Sequence, residues 1–153
     1  MAAQESEPRV RVAAVVLVDD EIILVRQTKG GRDYYLLPGG GVERGETLEE
    51  ALVREVAEET GIVIRVVRPL FINDTLAPDG SRHLVNLTFL CDAVEAVAAD
   101  TTETAVVAVE RAGREHLACL DLRPPLAPPL IEAWAGGFTG PCRYLGTLWV
   151  DGP

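Results

Sequence analysis

Between Gly40 and Ile62 the chain reads GGVERGETLEEALVREVAEETGI. Glu55, Glu58 and Glu59 fall at i, i+3 and i+4, a spacing that puts three carboxylates on one face of a helix. Like charges held so close repel, so a helix gains nothing from them alone. A hard divalent cation offsets that repulsion. A donor set built only from oxygen selects Mg²⁺, Mn²⁺ or Ca²⁺ over zinc.

The elements that must position these carboxylates follow from local signals. Thr47 is an N-cap candidate, and Glu50 three residues on completes a capping box. Leu48, Ala51, Leu52 and Val56 form the apolar stripe of the predicted helix, and Gly61 stops it in a position that favours a left-handed backbone. Before the helix, residues 10–18 and 21–27 read as a strand pair turning at Asp19-Asp20. Residues 28–33 then read as a polar loop, and residues 34–37 as a short strand ending at Pro38. After the helix we expect a strand over 62–72, broken near Pro69, and a turn at Ala77-Pro78-Asp79-Gly80. Strands over 83–93 and 104–109, a short helix within 110–120, a second helix over 125–134 and a C-terminal strand over 143–150 complete the reading. That last strand would cover a sheet edge or pair with another subunit. The order β, β, β, α, β, β, β, α implies an α/β fold with a mixed sheet layered between helices.

The acidic segment also matches a longer pattern. Gly40, Glu46, Arg54, Glu55, Val56, Glu58, Glu59, Gly61 and Ile62 occupy all nine fixed positions of the Nudix box. The chain therefore resembles a Nudix hydrolase, and the resemblance implies the α/β/α sandwich of that family. It also implies hydrolysis of a diphosphate linkage in a nucleoside diphosphate derivative, by water attack at phosphorus. Such chemistry rests on positioning and charge neutralisation, which explains a motif of carboxylates in place of a nucleophile and histidine pair.

Carried over position by position, the resemblance makes Glu55, Glu58 and Glu59 the metal carboxylates and adds the carbonyl oxygen of Gly39. Mg²⁺ is the implied cofactor, with Mn²⁺ able to substitute. Glu55 and Glu58 are both candidates for the general base. Arg54 cannot bind a cation, but its guanidinium can hold carboxylates in register, with Glu46 as its natural partner. The catalytic set is thus Glu55, Glu58, Arg54 and Glu46. Arg26, Gly40 and Glu103 are the candidate substrate contacts: Arg26 for phosphate, Gly40 through close backbone approach, Glu103 from the loop where some family members place an additional metal carboxylate or catalytic base outside the box. Lys29 and Arg32 read as surface charge that could instead bind phosphate, Tyr34, Tyr35 and Phe71 as core aromatics that could instead stack on a base, and His83 and His116 as surface or structural. Pro78 lies sixteen positions after Ile62, a spacing associated with ADP-ribose-cleaving members. ADP-ribose or another nucleotide sugar and a nucleoside triphosphate are the rival substrates. A non-catalytic nucleotide-sensing module on the same fold is the competing reading; such modules often lose box carboxylates, and this chain keeps them all.

Bulk properties narrow the rest. A chain of 153 residues with 48% apolar and 25% charged content reads as one soluble globular domain over 1–153, with residues 1–8 a flexible tail. The net charge of −10 argues against nucleic-acid partners, whose footprint would be basic. An anionic substrate must therefore meet metal ions and a few local cations. Cys91, Cys119 and Cys142 are odd in number and far apart, so they read as buried thiols in a reducing compartment. With no apolar leader and no membrane-length run, a cytoplasmic location is expected. The family resemblance admits a homodimer.

Overall fold

The structure, a computed structural model, describes residues 7–96 and 108–150. Its elements in chain order are β1 (Arg9–Val18), β2 (Glu21–Lys29), β3 (Arg32–Leu36), β4 (Gly39–Gly41), α1 (Leu48–Thr60), β5 (Ile62–Leu76), β6 (His83–Ala96), β7 (Ala108–Ala112), α2 (Arg114–Leu117), α3 (Ala127–Ala135) and β8 (Arg143–Thr147). The strands join in a mixed sheet of order β3-β2-β1-β6-β5-β8, with β4 attached to β1 and β7 to β2. β1 and β6 run parallel at its centre, from Arg9 opposite Leu84 to Val16 opposite Cys91.

Alternation along β1 explains the layering. Val12, Ala14 and Val16 point to one face, where they pack with Ala51, Leu52 and Val56 of α1. Ala13 and Val15 point to the other, against Leu117 of α2 and Leu130 and Trp134 of α3. The sheet is therefore buried on both sides, the expected α/β arrangement.

Helix α1 starts and stops where the sequence predicts. Thr47 Oγ1 accepts from the Glu50 N–H at 3.1 Å, and Glu50 Oε2 accepts from the Thr47 N–H at 2.8 Å. A cap of this kind contributes about 1 kcal/mol. Gly61 closes the helix at φ 72°, its N–H bonded to Ala57 O.

Other expectations need correction. The loop foreseen over 28–33 is a tight hairpin: Gly30 and Gly31 both take positive φ, so β2 runs on to Lys29 and β3 begins at Arg32. β5 is neither broken at Pro69 nor ended at residue 72. It continues to Leu76, absorbing the irregularity as register shifts at Val66/Arg68 and Pro69/Phe71. The helix foreseen in 110–120 shrinks to Arg114–Leu117, because residues up to Ala112 pair with β2. Of the strand foreseen over 104–109, residues 104–107 lie outside the described residues. β8 runs parallel to β5 and covers its outer edge.

The cysteines divide. Cys91 is buried, and desolvation, ahead of the nearby Asp92 and Glu49 charges, pushes its thiol up to about 12. Cys119 and Cys142 are exposed, contrary to the buried thiols expected. No helix among the described residues is long and apolar enough to cross a membrane.

Candidate active site

The acidic face of α1 is set against three glycines. β4 pairs antiparallel with β1, placing Gly39 opposite Ala13, Gly40 opposite Val12 and Gly41 opposite Arg11. A Cβ on Gly39 would collide with the Val12 carbonyl oxygen, and one on Gly40 would occupy the space of the Glu55 carboxylate. These two positions take glycine because backbone and carboxylate approach so closely.

Glu55 and Glu59 are buried, each about 7% exposed, whereas the Glu58 side chain is 45% exposed. Glu59 Oε2 accepts from the Gly39 N–H at 3.0 Å, tying helix to strand. Arg54 gathers the remaining carboxylates. Its Nε and Nη2 donate to the two oxygens of Glu46 at 2.6 and 3.0 Å, a bidentate fork. Its Nη1 donates to Glu55 at 2.8 Å and reaches Glu58 at 3.5 Å, and its Nη2 also donates to the Gly41 carbonyl at 3.3 Å. The partnership of Arg54 with Glu46 foreseen from their types and positions is the geometry found.

The same fork sets the acidity of Glu46. Hydrogen bonding from Arg54, then from the Glu43 N–H, holds its carboxyl at about 2, against an ordinary 4.5. A carboxyl lowered on folding contributes stability that is complete above the unfolded pKa and lost as pH falls through the folded one. The stability that wild type holds over Glu46→Gln should thus be constant above about pH 4.5 and shrink toward zero by about pH 2. Denaturant melts of both proteins between pH 7 and 2 check this; a difference independent of pH would contradict the ion-pair geometry.

Among the described residues, no three histidine, cysteine or acidic side chains already converge on one point. Glu55 leans on Arg54 and Glu59 on Gly39. The donor chemistry nonetheless fits a hard divalent ion. Two buried carboxylates lie on one helical face beside a glycine strand that lacks Cβ atoms, with a third, more exposed carboxylate next to them.

A cleft of about 320 Å³, lined by none of these side chains, lies elsewhere in the described structure. Arg11, Lys29, Arg82 and Arg123 bring positive charge to it, and Tyr34 and Trp149 bring aromatic surface. Arg11 links the two regions. It sits opposite Gly41, donates to the Leu37 carbonyl at 3.3 Å, and interacts electrostatically with Glu59 and Glu55. Its burial pushes its pKa down, the largest influence, against the upward pull of Glu59. Arg123 lies over the Tyr34 ring, 4.9 Å from its centroid, and is braced by Asp121 at 2.7 Å. Arg82 follows the turn at Pro78-Asp79-Gly80, whose base is closed by Ala77 N–H donating to the Arg82 carbonyl at 2.9 Å.

The sequence-predicted residues fall into separate groups. Glu46, Arg54, Glu55, Glu58, Glu59, Gly39 and Gly40 come together. Arg26 does not join them: it is ion-paired to Glu110 at 3.0 Å and does not line the cleft that Gln27 and Lys29, its neighbours in β2, do. Lys29, read as surface charge, lines the cleft; Arg32 is exposed and does not. Tyr35 and Phe71 belong to the core, as expected, whereas Tyr34 faces the cleft. His116 is exposed, and His83 lies 3.6 Å from Asp74. Glu103 lies outside the described residues. Arg11, Arg82, Arg123 and Trp149 were missed. Arg11 carried a usable signal, since an arginine between valines in a β-branched strand must either be exposed or serve a buried purpose.

Comparison with known proteins supplies independent findings. The family model described as NUDIX domain matches residues 7–131. Phosphatase NudJ of Escherichia coli K12 is 30% identical over 145 residues, covering 92% of both chains. The ADP-ribose pyrophosphatase of Methanocaldococcus jannaschii is 36% identical over 88 residues; the match spans 57% of this chain and 52% of that protein, about half its length. Among solved structures, a NUDIX hydrolase from Nitrosomonas europaea superposes with a TM-score of 0.75 at 27% identity, covering 86% of this chain and 90% of that one.

Proposed function

The chain belongs to the Nudix hydrolase family, and from that premise we propose a Mg²⁺-dependent pyrophosphohydrolase, with Mn²⁺ able to substitute, acting on a nucleoside diphosphate derivative. The observation that carries this reading is the junction of two opposite charges. Buried Glu55 and Glu59 interact electrostatically with Arg11, and Arg11 lines a cleft of arginines and lysine on a chain whose net charge is −10. A diphosphate is the ligand that needs both, a cation at its scissile end and fixed positive side chains along its remaining oxygens.

Glu55, Glu58, Glu59 and the Gly39 carbonyl would hold the ion. When bound, it would supply charge neutralisation at phosphorus and lower the pKa of water. Arg54 and Glu46 keep the carboxylates aimed. Arg11, Arg82 and Arg123 bind phosphate oxygens and hold the chain of phosphates in line for attack. Glu58, the most exposed of the three glutamates and only weakly held by Arg54, takes the proton from the attacking water. The water oxygen bonds to phosphorus, the P–O bond to the bridging oxygen breaks, and the released phosphate group carries the electron pair. A reducing, cytoplasmic setting suits three free cysteines, two of them exposed.

ADP-ribose is our first substrate choice. The M. jannaschii relative carries that activity in its name, and the turn holding Pro78 is the one that delivers Arg82 to the cleft. The test is a panel of ADP-ribose, nucleotide sugars and nucleoside triphosphates with Mg²⁺ and with Mn²⁺, run in ¹⁸O-water. We expect ADP-ribose to yield AMP and ribose 5-phosphate, with the label on one phosphate. Nucleotide binding without cleavage anywhere in the panel would overturn the enzymatic reading and favour a sensing module.

A further inference from the structure

The cleft is completed by a part of the chain that lies beyond the family-model match. The domain match ends at residue 131, yet Leu148, Trp149 and Val150 line the cleft. The segment between is pinned at several points. Arg68 donates to the carbonyl oxygens of Phe138, at 2.7 Å, and of Gly140. β8 then pairs with β5 at Phe71 and Ile72. Tyr144 Oη donates to Asp74 Oδ2 at 2.6 Å, and the Leu148 N–H donates to the Asp74 carbonyl at 2.8 Å. Asp74 thus grips the tail twice, at Tyr144 and at Leu148, the residue before Trp149.

That wall differs in chemistry from the rest. Arg11, Arg82 and Arg123 suit phosphate oxygens, whereas Trp149 offers a flat aromatic surface, 36% exposed, to the same cleft as Tyr34. We infer that the C-terminal segment is a specificity element, with Trp149 recognising the nucleobase of the substrate by stacking. The inference rests on the diphosphatase reading and deepens it. Phosphate recognition belongs to the shared domain, and recognition of the group attached to the phosphates belongs to the tail. Every base presents a π-face, so this selects an aromatic substituent without choosing among bases.

Two measurements test it. In kinetics with Mg²⁺, Trp149→Ala should raise KM for a nucleoside diphosphate derivative about 10- to 100-fold, the scale of one base stack, with kcat retained. Trp149→Phe should restore most of the loss. Hydrolysis of phosphoribosyl pyrophosphate, which has a diphosphate but no aromatic ring, should be unaffected by either change. In equilibrium titration without metal, ADP should quench tryptophan fluorescence in the wild type and fail to do so in Trp149→Phe, which retains Trp134. An equal rise in KM for the ring-free substrate, an unchanged KM for the nucleotide, or quenching that survives in Trp149→Phe would overturn the inference. If no diphosphate is hydrolysed at all, the enzymatic reading fails while the ADP titration still decides whether Trp149 contacts the base.

Discussion

Glu55→Gln and Glu59→Gln should each lower turnover by at least about 10²- to 10³-fold, the scale of losing one fixed electrostatic partner of a transition state. Glutamine keeps the volume and an oxygen acceptor, so the Gly39 N–H retains its bond at position 59 and Arg54 retains an acceptor at position 55. What disappears is one negative charge from a pair of buried carboxylates. With chelator present, removal of that charge should leave the melting temperature unchanged or raise it, since two like charges no longer share one helix face. Mg²⁺ should then stabilise both variants less than it stabilises the wild type. Kinetics with Mg²⁺ and melts with and without the ion read out all three effects. Near-normal turnover in either variant would remove that residue from the metal set, and a collapsed melt in chelator would show that its charge is structural.

The second large effect separates two adjacent glycines. Gly39→Ala drives a methyl group into the Val12 carbonyl in the middle of the β1–β4 pairing, where only backbone can yield. Overpacking of that kind costs about 3 kcal/mol or more, which for a chain of this size lowers the melting temperature by roughly 10 °C. Gly40→Ala meets the carboxyl end of the Glu55 side chain, which can swing aside. Its melting temperature should stay close to that of the wild type, while displacement of Glu55 lowers turnover about 10²-fold. The pair is read by thermal melts alongside kcat. Equal destabilisation by both changes would mean that Gly40 serves the fold rather than the carboxylate beside it.

The parts of the site that could be read from sequence are those confined to one stretch of chain. Cap, helix, carboxylate spacing and the Arg54–Glu46 fork all lie within Gly40–Ile62, where geometry follows from the helical repeat. The cleft could not be read in that way. Arg11 comes from β1, Lys29 from the end of β2, Arg82 from the β5–β6 turn, Arg123 from the run before α3 and Trp149 from the tail. Their meeting depends on sheet order, which no local pattern encodes. Arg26 and Lys29 show the cost: three positions apart in β2, they end on opposite faces, and the alternation alone did not say which face would be the cleft.

The parallel pairing of β1 with β6 bears on how this protein matures. Antiparallel neighbours such as β2 with β3, or β5 with β6, can zip from a turn as soon as both strands exist. β1 must wait for β6, with β2 through β5 and the whole of α1 threaded between them. The apolar face of α1 shares its contact cluster with Phe89 and Cys91 of β6 and Ile64 of β5. Until the nascent chain has delivered β6, α1 has only part of its seat, and closing so long a loop is the slow step expected of folding. Under the proposed function, an emerging chain that ends before β6 should be inactive, with activity appearing only once the sheet is complete.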